Sequence, residues 1–493
     1  MATNADNKWP RASGSTRAEY PITTPRDSSL RTRDWTAETD SPALAASSDN
    51  VARPSATSER TKIRSMSSSV SAMAGEYLPT SRLRERFAAG LSAMYGSEVP
   101  VYTTLVEVST QVNRDYAARH PGAQRLGSLS RVTAERHGAI RVGTPDELAA
   151  VADLFSAFGM VAVGYYDLRD LRYAASPVPV VSTAFRPIDV DELACNPFRV
   201  FTSMLALEDP RFFDADLRAR VQTFLGRRQL FDPALIARAR VIAAEGGCDA
   251  DEADDFVARA VAAFALSREP IEKSWYDELS RVSAVAADIA GVTSTHINHL
   301  TPRVLDIDEL YRRMTARGVT MIPAIQGPPR WDGPAVLLRQ TSFRALAEPR
   351  RFRHDDGTVV DGSLRVRFGE VEARGAALTP KGRERYDAAM ARLSGNDNPA
   401  AVWGEYFPAT DDEMAAQGLA YYRGGDSSKP IVYEDFLPAS AAGIFRSNLD
   451  RDTEASDAVD DSDYSIDWMA EAIGRHIHDP YLLYESLCKE ATA

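Results

Sequence analysis

The chain has 493 residues, 44% of them apolar and 26% charged, with a formal charge of −13 and three cysteines. This is an ordinary globular composition, able to bury a sizeable core, and its acidity excludes the basic footprint of a nucleic-acid groove and disfavours an anionic membrane surface. No run of about 18 apolar residues is present, so no spanning helix is expected. Cys195, Cys248 and Cys488 are odd in number, far apart and without a CxxC pair. With no signal peptide evident, a reducing cytoplasm is expected rather than a disulfide framework.

Residues 1–75 are rich in Ser, Thr, Ala, Asp and Arg and poor in large apolar side chains. Such a segment buries too little surface to offset its ordering entropy, and a disordered extension is expected. Asp27, Asp34, Glu38 and Asp40 count against a transit peptide. The remainder, 76–493, reads as a single catalytic domain. Residues 83–116 carry helical periodicity. A module follows over about 131–188: a strand holding His137 and Arg141, a turn, an amphipathic helix from Asp146, a strand over 160–166 and another over 177–187. Residues 190–290 read as a helical insertion, with helices over 217–225, 233–244, 253–266 and 270–289. A second module spans about 293–445. It has strands over 319–323, 335–341 and 363–372, and a helix opened by Thr379-Pro380. An acidic loop over 450–467 and a helix over 468–477 close the chain.

The two modules share a written pattern. His137-Gly-Ala-Ile-Arg141, leading to Asp146-Glu-Leu148, matches His299-Leu-Thr-Pro-Arg303, leading to Asp308-Glu-Leu310, at the same offsets. In each, the strand passes through a turn into a helix, and a glycine (Gly159 or Gly318) precedes the next strand. An internal repeat of this kind predicts two βαβ-like modules, each opened by a strand-borne histidine.

Only seven histidines are present, and two open the repeated strands. Glu370 and Glu372 lie on one face of a late strand and offer a carboxylate. Two imidazoles and one carboxylate leave coordination positions open, as non-haem Fe(II) requires to bind substrate and O2 together. His137 and Arg141 share a strand face about 13 Å apart. A metal at one and a guanidinium at the other can grip the two ends of a dicarboxylate, although Arg141 can equally pair with an acidic neighbour. On a regular strand His296 and His299 face opposite ways; the repeat register favours His299. Parity does not choose between Glu370 and Glu372. His476-Ile-His478 sits at a helix end, and His120 and His354 lie in polar sequence. No Walker, GxGxxG, HExxH or GxSxG motif is found, which removes the usual support for nucleotide kinases, Rossmann dehydrogenases and α/β-hydrolases.

From residue 80 onward the chain resembles the iron-dependent 2-oxoadipate dioxygenase/decarboxylases of bacterial lysine catabolism, which have plant relatives. The resemblance rests on His137-Gly-Ala-Ile-Arg141, Asn298-His-Leu-Thr-Pro-Arg303, Leu338-Arg-Gln-Thr-Ser-Phe343, Phe368-Gly-Glu-Val-Glu-Ala-Arg-Gly375, Leu378-Thr-Pro-Lys-Gly-Arg383 and 433–449. That family is similar to the vicinal-oxygen-chelate enzymes. The resemblance therefore implies an α+β fold of paired βαβββ modules forming a curved sheet around one metal. It implies Fe(II) held by His137, His299 and Glu370, with Arg141 on a substrate carboxylate. The turn at Ala439 and Ser440 would approach the substrate with its backbone; valine is expected where Ala439 stands. The implied reaction takes a 2-oxo dicarboxylate and O2 to 2-hydroxyglutarate and CO2. The same donor set also suits a dioxygenase of another 2-oxo acid, a zinc or nickel isomerase or lyase, or a binding protein without turnover.

Overall fold

The computed structural model describes residues 76–493 apart from 171–176, 366, 394–397, 438–461 and 490–493. The extension over 1–75 lies outside the described residues. The stretch expected as one helix over 83–116 is two, α1 (Thr80–Glu98) and α2 (Pro100–Arg119). Pro100 causes the break: it lacks an N–H and disfavours helical geometry at the preceding residue, and Val99 sits at φ −126°, ψ 80°. Leu83, Phe87 and Leu91 recur every four residues on the buried face of α1, and Phe87 stacks on Phe158 at 4.3 Å.

The first module runs β1 (Arg136–Val142), α3 (Pro145–Ser156), β2 (Val161–Asp167), β3 (Val180–Arg186) and β4 (Arg199–Leu205). α3 starts where Thr144 accepts the Glu147 N–H, with Pro145 at the first position and Asp146 and Glu147 in the first turn. Between β4 and β5 (His299–Pro302) the chain passes through α4 (Ala215–Leu225), α5 (Pro233–Glu245), α6 (Ala250–Ala262), α7 (Lys273–Val282) and α8 (Ala284–Ala290). The second module continues from β5 with α9 (Ile307–Ala316), whose N-cap Asp306 accepts the Glu309 N–H. It ends with β6 (Leu338–Ser342), the hairpin β7 (Glu348–Arg353) and β8 (Val359–Leu364), and β9 (Glu370–Arg374).

The main sheet has the order β2-β3-β4-β1-β5. β4 lies parallel to β1, and β5 pairs antiparallel to β1. Beyond β5 the same arrangement recurs: Arg303 bridges in parallel to Glu372 at β9, and β9 pairs antiparallel with β6. The stretch at 319–326 meets β6 through the Met321–Phe343 and Gln326–Gln340 bridges. In each module the fourth strand therefore lies beside the first. These are two βαβββ modules, joined through β1 and β5.

Three further expectations change. The stretch from 190 is not helical throughout: after a short helix, Val190–Cys195, comes a sheet strand, Arg199–Leu205. All seven of its residues are buried, so no polar alternation marks it as a strand in the sequence. The strand expected over 363–372 is two, in different sheets, with buried Arg367 turning between them onto Glu348 at 3.0 Å. The helix expected over 270–289 breaks at Ser283, which caps α8 by accepting the Val285 N–H. Among the described residues no helix is long and apolar enough to cross a membrane.

Gly375 ends β9 between two other backbone segments. Its N–H donates to the Leu337 carbonyl at 2.8 Å, and its carbonyl accepts from the Tyr433 N–H at 2.9 Å. A Cβ there would stand 2.2 Å from the Ala335 carbonyl carbon and 2.4 Å from the Val336 nitrogen. Gly375→Ala is therefore expected to lower the thermal unfolding midpoint, at a cost of about 1–3 kcal/mol. An unchanged midpoint by calorimetry would show that the backbone yields there freely.

Candidate metal centre

The register of β1 and β5 builds the site. His137 pairs with Thr301, and Ala139 with His299. Directly opposed residues share a sheet face, so both histidines stand on one side as diagonal neighbours. Continuing the Arg303–Glu372 register back by two residues sets Glu370 beside Thr301, and the Thr301 hydroxyl lies 3.4 Å from Glu370 Oε2. Three strands from two modules thus deliver His137, His299 and Glu370 to one point.

Glu370 Oε2 lies 3.2 Å from His299 Nε2 and 3.7 Å from His137 Nε2. One ligand atom from each residue falls within 4.8 Å of the others, and all three side chains are buried. The imidazole rings are 5.5 Å apart and nearly perpendicular. Phe436 stands edge-on to His137 at 5.1 Å, and Phe368 lies 5.2 Å from His299. Burial holds His299 well below the usual histidine range, helped by the charges of His137 and Arg141; it therefore stays neutral, the form that ligates. Burial also pushes Glu370 upward, against the opposing pull of His137. Among the described residues its charge partners are imidazoles rather than Arg or Lys. A carboxylate buried in this way is costly unless a cation joins it.

Glu372 occupies a different place. Its Oε1 lies 3.2 Å from Nδ1 of His137, on the side of the ring away from Glu370. Arg374 grips it in a fork, Nε to Oε1 at 2.6 Å and Nη2 to Oε2 at 2.9 Å. Burial would raise Glu372, but Arg374, His137 and Arg199 outweigh it and hold the carboxyl well below its usual range. Two carboxylates two residues apart are thereby driven in opposite directions by their surroundings. For His137, burial lowers the basicity and the two glutamates more than restore it. Beneath them lies a buried charge network: Glu135 accepts from Arg199 and Arg303, each at 2.9 Å, and Glu434 pairs with Arg131 and Arg199.

Arg141 is buried on the same strand and ion-pairs with Asp288 of α8. Asp288 also accepts from Asn298 Nδ2 at 2.9 Å. His296 precedes β5 rather than lying on it, so strand parity does not apply. Its Nε2 faces Asp288 at 3.5 Å, away from the three-residue cluster. A cavity of about 370 Å³, lined also by Pro270, Val292, Arg350 and Leu364, reaches Asp288 and His296. Ala439 and Ser440 lie outside the described residues. His476 and His478 pack edge-on to each other at 4.9 Å, and His120 and His354 are exposed. Asp288, Glu135 and Phe436 escaped the sequence reading. Only Glu372 left a signal, its in-phase spacing with Glu370 and Arg374.

A family model for 2-oxoadipate dioxygenase/decarboxylase matches residues 87–448. The chain belongs to that family. A relative of that name in Mycobacterium tuberculosis is 78% identical over 413 residues, covering 84% of this chain and 98% of the relative. One from Pseudomonas putida is 38% identical over 455 residues, covering 83% and 95%. The crystal structure of the hydroxyglutarate synthase from Pseudomonas putida in complex with 2-oxoadipate aligns at 35% identity with a TM-score of 0.70, covering 84% of this chain and 97% of that one. The family match spans His137, Arg141, His299, Glu370, Ala439 and Ser440.

His299→Ala is expected to weaken Fe(II) or Co(II) binding by more than the 10–100-fold or so typical of an outer-shell change, and His296→Ala to leave it within about threefold. Equilibrium dialysis against each metal reads the difference. The reverse ranking would move the centre to His296.

Proposed function

We propose that the protein is an Fe(II)-dependent dioxygenase that converts 2-oxoadipate and O2 to 2-hydroxyglutarate and CO2. The observation that carries this reading is the buried convergence of His137, His299 and Glu370 in a chain of the 2-oxoadipate dioxygenase/decarboxylase family. Two neutral nitrogen donors and one carboxylate fit Fe(II) and leave positions open for a bidentate substrate and O2. A buried carboxylate facing imidazoles fits it as well, since a cation there relieves the cost of its burial. The 2-oxoadipate in the Pseudomonas putida relative's structure supports the substrate.

Iron, when bound, supplies O2 activation and chelation of the 2-oxo acid. His137 and His299 present Nε2, and Glu370 presents Oε2, from three adjacent strands whose pairing fixes their separation. Phe368 and Phe436 wall the histidines and keep water from the reacting carbons. Arg141, four residues along β1, takes the remote carboxylate of the substrate, oriented by its ion pair with Asp288. The balance is closed: the first carboxyl leaves as CO2, the keto carbon gains one oxygen to become a carboxylate, and the second oxygen enters as a hydroxyl on the adjacent carbon. Both atoms of O2 enter one product, and no separate reductant is consumed. A cytoplasmic setting, where thiols stay reduced, agrees with Cys195, Cys248 and Cys488 all being free, and the family resemblance supports a role in lysine catabolism.

Protein loaded anaerobically with Fe(II) is expected to take up one O2 and release one CO2 per 2-oxoadipate, with much slower turnover of 2-oxoglutarate and none in His137→Ala. Iron-loaded protein that consumes no O2 with any 2-oxo acid would instead support an isomerase, a lyase or a binding protein. Arg141→Lys keeps the charge but loses the planar fork. Its kcat/KM for 2-oxoadipate should fall about 10–100-fold, mainly through KM, the loss of roughly 1.5–3 kcal/mol from a charged hydrogen bond. An unchanged KM would remove Arg141 from substrate binding.

A further inference from the structure

β9 presents Glu370 and Glu372 on one face, and the two carboxylates meet the same imidazole from different sides. Glu370 Oε2 stands 3.7 Å from Nε2 of His137, whereas Glu372 Oε1 stands 3.2 Å from Nδ1. A histidine offers a metal a lone pair on one nitrogen only when the proton resides on the other, and an acceptor beside that second nitrogen decides where it resides. We propose that Glu372 is a positioning residue of the metal centre: it accepts the Nδ1 proton of His137 and so fixes the tautomer and ring orientation that aim Nε2 at the metal. This rests on reading His137, His299 and Glu370 as the ligands.

The clamp on Glu372 suits that task and no other at the centre. Arg374 engages both carboxylate oxygens, and Arg199 approaches Oε1 at 3.5 Å. Arg374 is itself anchored, its Nη1 donating to the carbonyls of Tyr433 at 2.7 Å and Asp435 at 2.9 Å. A carboxylate gripped at both oxygens by guanidiniums has no freedom to swing round the ring and coordinate. The approach to Nδ1 is short, at 3.2 Å, but is not in line for a hydrogen bond. Among the described residues no carboxylate stands beside Nδ1 of His299 as Glu372 does beside that of His137, and its ring lies 5.2 Å from Phe368. The two histidine ligands are therefore held differently, one by a carboxylate and one by packing.

The experiment is an equilibrium titration of the full-length, metal-free protein with Co(II), followed through its visible absorption bands. It compares wild type with Glu372→Gln, Glu372→Ala, Glu434→Gln and His137→Ala, the fold of each checked by near-UV circular dichroism. Glu372→Ala is expected to bind Co(II) about 10–100-fold more weakly, with altered absorption bands from a reoriented imidazole. Glu372→Gln keeps the volume and an acceptor oxygen and should lose a smaller but measurable roughly three- to tenfold on the same basis. If Glu372→Ala does not fold, Glu372→Gln carries the test, and wild-type affinity and bands in it overturn the proposal. Glu434→Gln disturbs the same buried arginine, Arg199, without facing His137, and should stay within about threefold of wild type. Equal losses in the Glu434 and Glu372 variants would mean that the network acts only as structure, overturning the proposal. Unchanged affinity and bands in a folded Glu372→Ala, with binding lost in His137→Ala, would do so too while leaving the ligand set intact. Wild-type affinity in His137→Ala would instead remove the ligand set on which the proposal rests.

Discussion

The pairing of β1 with β5 is the constraint on which the site depends. Its register sets His137 opposite Thr301 and Ala139 opposite His299. A slip of one residue would turn one histidine to the other face of the sheet and take the centre apart. The pairing is fixed by what lies behind it. Gly138 and Leu300 oppose each other on the other face, and a Cβ at Gly138 would stand 3.0 Å from Ile297 and 3.2 Å from Leu300. The apolar face thus locks the register that the polar face uses.

Burying so much charge around that seam is expensive, and the protein offsets the cost with interleaved partners rather than solvent. Glu135, Glu372 and Glu434 alternate with Arg131, Arg199, Arg303 and Arg374, nearly all of them sealed from water. Such pairs add little net stability, yet removing one member strands the others. Their effect is to make the positions of β4, β5 and β9 mutually dependent. Glu370 stands apart from this network and faces imidazoles. One strand therefore presents a carboxylate already satisfied by guanidiniums and another that a metal cation would satisfy.

The helices between the modules contribute more than cover. α8 supplies Asp288 to Arg141, and the segment leading into β5 adds His296 and Asn298 around the same carboxylate. The guanidinium proposed to meet a substrate's remote end is thus oriented from the insertion, while the proposed ligand triad comes from the sheets. The Arg141–Asp288 pair and the His137, His299 and Glu370 cluster are built on different parts of the chain, joined by the four-residue spacing of His137 and Arg141 along β1.

Much of this was legible in the sequence because it is local. The repeated His-to-Asp-Glu-Leu spacing encodes a strand, a capped turn and a helix, and those interactions span a few residues: Thr144 caps α3, and Asp306 caps α9. The in-phase spacing of Glu370, Glu372 and Arg374 was readable as one strand face. Arg199–Leu205 was hidden because a strand buried on both sides carries no alternation. The break at Pro100 was marked in the sequence but overridden by the strong periodicity around it. Only the tertiary structure distinguishes Glu370 from Glu372, since parity is identical for both and the difference lies in which nitrogen of His137 each faces. It also sets His299 beside Glu370 and His296 beside Asp288, and brings Asp288 to Arg141 across 147 residues of chain. Sequence spacing records periodicity along one strand or helix; which strands lie side by side, and in what register, is set by packing between distant segments.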